Sequence, residues 1–233
     1  MIDIRPFASL GGANHGWLHA KHHFSFANYY DPQRMGWGAL RVWNDDEIAP
    51  QTGFPPHPHD NMEIITYVRE GAITHQDSMG NHGRTGAGDV QVMSAGKGIR
   101  HSEYNWENTP TKIFQIWIMP DTDKLNGPPA WGSKPFPKID RANEWVVLAS
   151  GRGAEGLPIR ANAEVVVATI LPGHALNYAL GGGRVGYLVA AAGSFAVNDQ
   201  NVQARDGVAF DEPLTIQNTG NEILEVLIVD VER

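Results

Sequence analysis

Two short segments carry side chains suited to holding a metal ion. In Gly53-Phe54-Pro55-Pro56-His57-Pro58-His59-Asp60-Asn61-Met62-Glu63, His57 and His59 stand two residues apart, just before a strong strand pattern. Alternate side chains of an extended chain share a face, so both imidazoles can converge on one ion, and Pro58 stiffens the link between them. Glu63 keeps the same parity and is a further inward-facing candidate. The segment Gly96-Lys97-Gly98-Ile99-Arg100-His101-Ser102-Glu103-Tyr104-Asn105 repeats the arrangement with His101 and Glu103. Four donors can thus come from two strands. Imidazole and carboxylate suit iron, zinc, manganese, copper, nickel or cobalt, and the donor types alone do not choose among these ions.

The absence of cysteine removes thiolate ligands, disulfides and thiol redox chemistry, which leaves His and carboxylates as the available donors. Nine of the ten histidines precede residue 102, and only His174 follows. If both halves of the chain form similar domains, only the first holds enough ligands for a metal. A formal charge of −8 without a cluster of Lys and Arg argues against direct binding to nucleic acid. The first ten residues include Asp3, Arg5 and Pro6, and no later apolar run is long enough to span a bilayer. A cytoplasmic protein with no membrane association is therefore expected.

The elements that must position these side chains are strands. Glu63 to Glu70, Val90 to Met93, Ile113 to Met119 and Glu164 to Ile170 are apolar or alternating runs separated by Gly, Pro, Asn or Asp, and stretches with a helical period are few. This punctuation predicts an all-β fold of sandwich or barrel type. Between Met119 and Trp145 a run of seven Pro and Gly residues excludes a central strand over most of the stretch. We place a domain over 1–122, a Pro/Gly-rich linker over 123–144, and a second domain without a metal site over 145–233.

The spacing H-x-H-x3-E of His57, His59 and Glu63 followed by Gly71, and later Gly88, Gly98, His101 and Asn105, resembles the two motifs of the cupin superfamily. The second motif is lengthened by two residues between Gly88 and His101 and has Ser94 where a proline often sits. Those departures, with Asn14-His15-Gly16-Trp17-Leu18, the run Phe24 to Pro32, Ser94-Ala95-Gly96 and His101-Ser102-Glu103, resemble the pirin family, most closely its bacterial members described as quercetin 2,3-dioxygenases. The likeness is strongest from Asn14 to Met119.

That resemblance implies a bicupin, two double-stranded β-helix barrels with little helix, and one metal in the first, held by His57, His59, His101 and Glu103, with Glu63, the carboxylate of the motif that other cupins use, as a competing ligand. Iron is the first expectation. It also implies oxidative opening of a flavonol-like aromatic substrate by dioxygen with release of carbon monoxide. Glu103, or Glu63 beside it, would act as the catalytic base. The alternative that the family offers is an iron-dependent redox sensor acting through a protein partner.

Other residues carry weaker expectations. His75 and Asp77 share a parity and suit a hydrogen bond that orients a ligand histidine. Gln115 and Trp117 are candidate pocket wall. His15, His19, His22 and His23 lack metal-ligand spacing and read as packing and hydrogen-bonding groups, and Phe24, Phe26, Tyr29 and Tyr30 as core or barrel cover.

Overall fold

The computed structural model describes residues 1–153 and 155–233. Antiparallel strands dominate, and the helical content among the described residues is three short 3₁₀ turns at Phe7–Ser9, Thr122–Lys124 and Lys138–Arg141. Among these residues no helix is long and apolar enough to cross a membrane.

The strands form two barrels, each a seven-stranded sheet facing a four-stranded one. In the first barrel the large sheet runs Ala130–Lys134, Val90–Ser94, Glu63–Glu70, Thr111–Ile118, Leu40–Ile48, Leu18–His22, Gly11–Asn14, and the small sheet Thr52–His59, Ile99–Asn105, Ala72–Asp77, His82–Gly86. The second barrel repeats the plan. Its large sheet is centred on Arg184–Ala192 and Leu224–Glu232, and its small sheet on Leu214–Asn218 and Ser194–Val197. The predicted all-β architecture of two cupin barrels is the one observed.

Two strands lie outside the stretches that the sequence assigned to their barrels. Ile2–Arg5 pairs with Gly207–Phe210 at the edge of the second large sheet, Ile2 opposite Phe210, although it precedes the whole first barrel in the chain. Ala130–Lys134, within the expected linker, pairs with Val90–Ser94 and extends the first barrel. It is an edge strand. Flanking prolines are compatible with an edge because one side of such a strand needs no ladder of N–H donors.

Strand parity sorts the side chains into three compartments. Trp43, Ile65, Tyr67, Phe114 and Ile116 from the first large sheet join Val165, Val167, Tyr187, Val189 and Val229 from the second in one buried cluster, so the two barrels share a core. The interior of the second barrel is filled by a separate apolar cluster that includes Leu188, Phe195, Val208, Phe210 and Ile216. The first barrel differs. Its apolar packing is split into two small groups around Ile48, Ile73 and Ile113 and around Ile64, Met93 and Ile99, and polar side chains occupy the space between its sheets. The second barrel is closed by packing; the first holds a site.

Candidate metal centre and ligand cavity

The small sheet of the first barrel presents the three histidines. Thr52–His59 is its edge strand, which accommodates Pro55, Pro56 and Pro58. Along its pairing with Ile99–Asn105, His57 faces His101 but Phe54 faces Glu103, so one extra residue is inserted at Pro55-Pro56. This β-bulge bends the strand and re-aims His57. Gly53 sits beside it, where a Cβ would lie 2.2 Å from the carbonyl oxygen of Glu103, so the strands approach at a distance only glycine permits.

Ligand atoms of His57, His59 and His101 all lie within 4.8 Å of one another. Hydrogen bonds fix how two of the rings are protonated. His57 Nδ1 lies 2.8 Å from the carbonyl oxygen of Pro55, which can only accept, so Nδ1 carries the proton and the lone pair sits on Nε2. Asp77 accepts from His75 Nε2 at 2.9 Å, which leaves His75 Nδ1 as an acceptor for His101 Nδ1 at 3.4 Å. The lone pair of His101 therefore also sits on Nε2. The two Nε2 atoms face each other at 3.0 Å. Two facing lone pairs repel unless a cation lies between them, and ligands about 2.1 Å from one ion at a near-right angle stand about 3 Å apart. The donor set fits a divalent metal.

Asp77 is itself anchored by Asn81 Nδ2 at 2.9 Å and by the backbone N–H groups of Met79 and Asn81. Trp131, from the edge strand inside the expected linker, stacks on His75 with ring centroids 4.8 Å apart and planes 11° from parallel. The suggested orienting role of His75 and Asp77 thus has a continuous hydrogen-bonded geometry behind it.

Glu103 is buried in the same cavity, but its carboxylate does not fall within the close histidine group. Three donors reach it: Gln91 Nε2 at 2.7 Å and Thr66 Oγ1 at 3.1 Å on one oxygen, Gln115 Nε2 at 2.9 Å on the other, with Thr66 sharing its single proton between Glu103 and Gln115 Oε1 at 3.0 Å. A carboxylate has about four lone-pair directions, so one remains.

Glu63 departs from the sequence expectation. It does not line the cavity; it accepts hydrogen bonds from Ser94 Oγ at 2.5 Å and from the backbone N–H of Arg160 in the second half of the chain at 3.0 Å. The cause is the turn after His59, where Asn61 takes a φ of 42° and resets the alternation so that Ile64 and Thr66 face inward instead. Burial pushes the Glu63 carboxyl up from its ordinary value. Glu63→Ala is expected to leave metal content unchanged and to lower stability by about 1–3 kcal/mol, measured by urea unfolding, because two buried donors lose their acceptor.

Around the histidines lies a cavity of about 420 Å³. Trp17, Phe26, Phe54 and Trp117 supply aromatic wall, with Trp117 edge-on to His59 at 4.9 Å and Phe26 edge-on to Trp117 at 5.4 Å. Gln115 and Trp117 line it as expected. So do His15 and His22, which the sequence read only as packing groups, and Asn44 and Asp46, which sequence reasoning missed. A polar triplet Asn44-Asp45-Asp46 inside the apolar strand Leu40–Ile48 is the signal that was available. His23 is fully buried against Tyr187 Oη at 2.9 Å, Phe24 is core, and Tyr30 is exposed, contrary to the cover role expected for it.

Burial lowers His59 to about 4, and burial with neighbouring His57 and His75 lowers His101 to about 3; His23, in the shared core, also lies at about 3. Against an ordinary value near 6.5, the unfolded chain takes up protons that the folded one refuses until pH 3–4. These histidines contribute stability that is fully present above about pH 6.5 and is lost as pH falls through their folded values. The raised carboxyls of Asp46 and Glu63 act in the opposite sense. The urea midpoint of metal-free protein, followed from pH 7 to 4, is therefore expected to fall more steeply for the wild type than for a His59→Gln/His101→Gln variant.

Known proteins resemble this chain along its length. Residues 4–118 match the Pirin family model and residues 147–231 the model of the quercetinase C-terminal cupin domain. A pirin-like protein of Caulobacter vibrioides is 62% identical over 99% of both chains. A protein of Escherichia coli named quercetin 2,3-dioxygenase is 39% identical, again over 99% of each. The crystal structure of the E. coli bacterial pirin YhhW in complex with nickel(II) superposes with a TM-score of 0.91 at 37% identity, covering 100% of this chain and 99% of that one. With likeness along its whole length and a histidine triad in the first of two cupin barrels, the chain belongs to the pirin family.

Proposed function

We propose that this protein is a metal-dependent dioxygenase that opens the heterocyclic ring of flavonols such as quercetin with release of carbon monoxide. The observation that carries the proposal is the convergence of three imidazoles, two with their Nε2 lone pairs fixed towards one point, on an aromatic-walled cavity large enough for a small planar ligand. The names of the relatives support the same reading.

His57, His59 and His101 would hold the ion, with iron first among the six candidates and Glu103 as fourth ligand. When bound, the metal supplies Lewis acidity that lowers the pKa of a chelated hydroxyl. The rest falls to the chain. Trp17, Phe54 and Trp117 sandwich the aromatic rings and exclude water. Glu103 has one lone-pair direction left and would use it for one role at a time: as fourth ligand before the substrate arrives and then, with the ion left to the three imidazoles, as the base that takes the proton of the flavonol 3-hydroxyl while Gln91, Thr66 and Gln115 hold its carboxylate in place. Both atoms of dioxygen enter the ester product, and the ring carbon that bore the hydroxyl leaves with its own oxygen as carbon monoxide.

Metal-loaded protein mixed with quercetin in air is expected to bleach the flavonol absorbance and to release one carbon monoxide per flavonol consumed. Failure with all six ions would overturn the proposal. In that case, differential binding of a protein partner by the oxidised and reduced iron forms would favour the regulator in its place.

A further inference from the structure

The wall of the cavity contributed by the large sheet carries a second set of polar groups that metal binding does not use. His22 and Asn44 face each other across neighbouring strands, as do Ala20 and Asp46, and all four line the cavity. His22 Nδ1 and Asn44 Oδ1 satisfy one another at 2.8 Å. Asp46 has no such match. It is 2% exposed, and its Oδ1 is buried without a hydrogen-bond partner among the described residues. The nearby cations do not supply one: Arg69 and Arg205 both bond Asp45, the adjacent residue on the opposite face of the strand.

Buried polar atoms are almost always bonded, so an unmatched carboxyl oxygen on the wall of a ligand-sized cavity points to something that enters the cavity. Burial, reinforced by the neighbouring carboxylates of Asp45 and Glu103, pushes the Asp46 carboxyl well up from its ordinary value. A neutral carboxylic acid both donates and accepts a hydrogen bond, which suits a phenol better than a cation.

We infer that Asp46 is the second anchor of the ligand site, hydrogen-bonding a phenolic hydroxyl of a planar polyhydroxylated aromatic whose other end is held at the three imidazoles. This rests on the flavonol reading and narrows it: the substrate carries a hydroxyl beyond the oxygens bound at the histidines. Asp46 is then a residue of specificity, separate from the histidines that hold the metal.

The test is quercetin binding to zinc-loaded protein without dioxygen, read from quenching of tryptophan fluorescence. Asp46→Leu is expected to weaken binding by about tenfold to a hundredfold, the effect of losing one or two buried hydrogen bonds. It should also raise the melting temperature, because an unmatched buried carboxyl is gone. Asp46→Asn keeps a donor and an acceptor and is expected to bind within about threefold of wild type. Metal content should be equal in all three proteins, and Asp46→Ala replaces the leucine variant if that one does not fold.

Repeating the titration with flavonols that each lack one hydroxyl outside the metal-bound pair should find one analogue that wild type and Asp46→Leu bind equally. Unchanged quercetin affinity in Asp46→Leu, an equal loss for every analogue, or no quercetin binding by the wild type overturns the inference. Because no turnover is needed, a protein that binds quercetin with this dependence on Asp46 yet releases no carbon monoxide refutes the dioxygenase and leaves the anchor standing.

Discussion

Replacing His101 by alanine is expected to weaken metal binding at the proposed site by roughly two to three orders of magnitude, as when one of the four proposed ligands sharing some 10–16 kcal/mol of binding energy is lost. Of the three imidazoles it is the most buried, and its ring is held from behind by His75 and Asp77. Competition with a fluorescent chelator gives the number directly. His75→Ala provides the internal comparison, since it keeps every proposed ligand and removes only the group that fixes the His101 tautomer; a loss of about tenfold to a hundredfold is typical of such a partner. Equal metal affinity in His101→Ala and wild type would mean that the imidazole cluster is not the metal site.

The second large effect lies away from the cavity. Trp43→Ala is expected to lower stability by about 3–5 kcal/mol, read from urea unfolding. Its ring is buried between Phe114 of the first barrel at 5.4 Å and Tyr187 of the second at 5.8 Å, so truncation opens a cavity in the core that both barrels share. Trp43→Phe should cost much less, because the indole Nε1 has no hydrogen-bond partner among the described residues and its removal also removes an unmatched buried donor. Two separable unfolding transitions in the wild type would contradict the shared core, whose many contacts should make the barrels unfold together.

What could be read from sequence follows how far each inference had to reach. The pairing of His57 with His59, and of His101 with Glu103, depends only on alternation within one strand, and both pairs point into the first barrel as expected. Glu63 was misplaced because the same alternation was carried through Asn61, whose left-handed backbone resets it. The polar wall opposite the histidines was missed for a different reason. Asn44 and Asp46 acquire meaning only when a strand far away in sequence comes to face them, and adjacent Asp45 and Asp46 look alike until the sheet sends one to Arg69 and Arg205 and the other to the cavity. The unequal barrels were legible as chemistry, through the histidine count, but the apolar filling of the second one was not, since strands buried on both faces lose their alternation.

The pairing of Ile2–Arg5 with Gly207–Phe210 constrains how the molecule can be made. During synthesis Ile2–Arg5 leaves the ribosome long before its partner exists, so this edge of the second large sheet cannot form until the chain has been made past Phe210. In the interval the strand waits unpaired in solution, its backbone donors and acceptors open to other nascent chains. A circular permutant that moves these residues to follow Arg233 would place both partners in the same late-emerging stretch, and should reach the native state sooner after release.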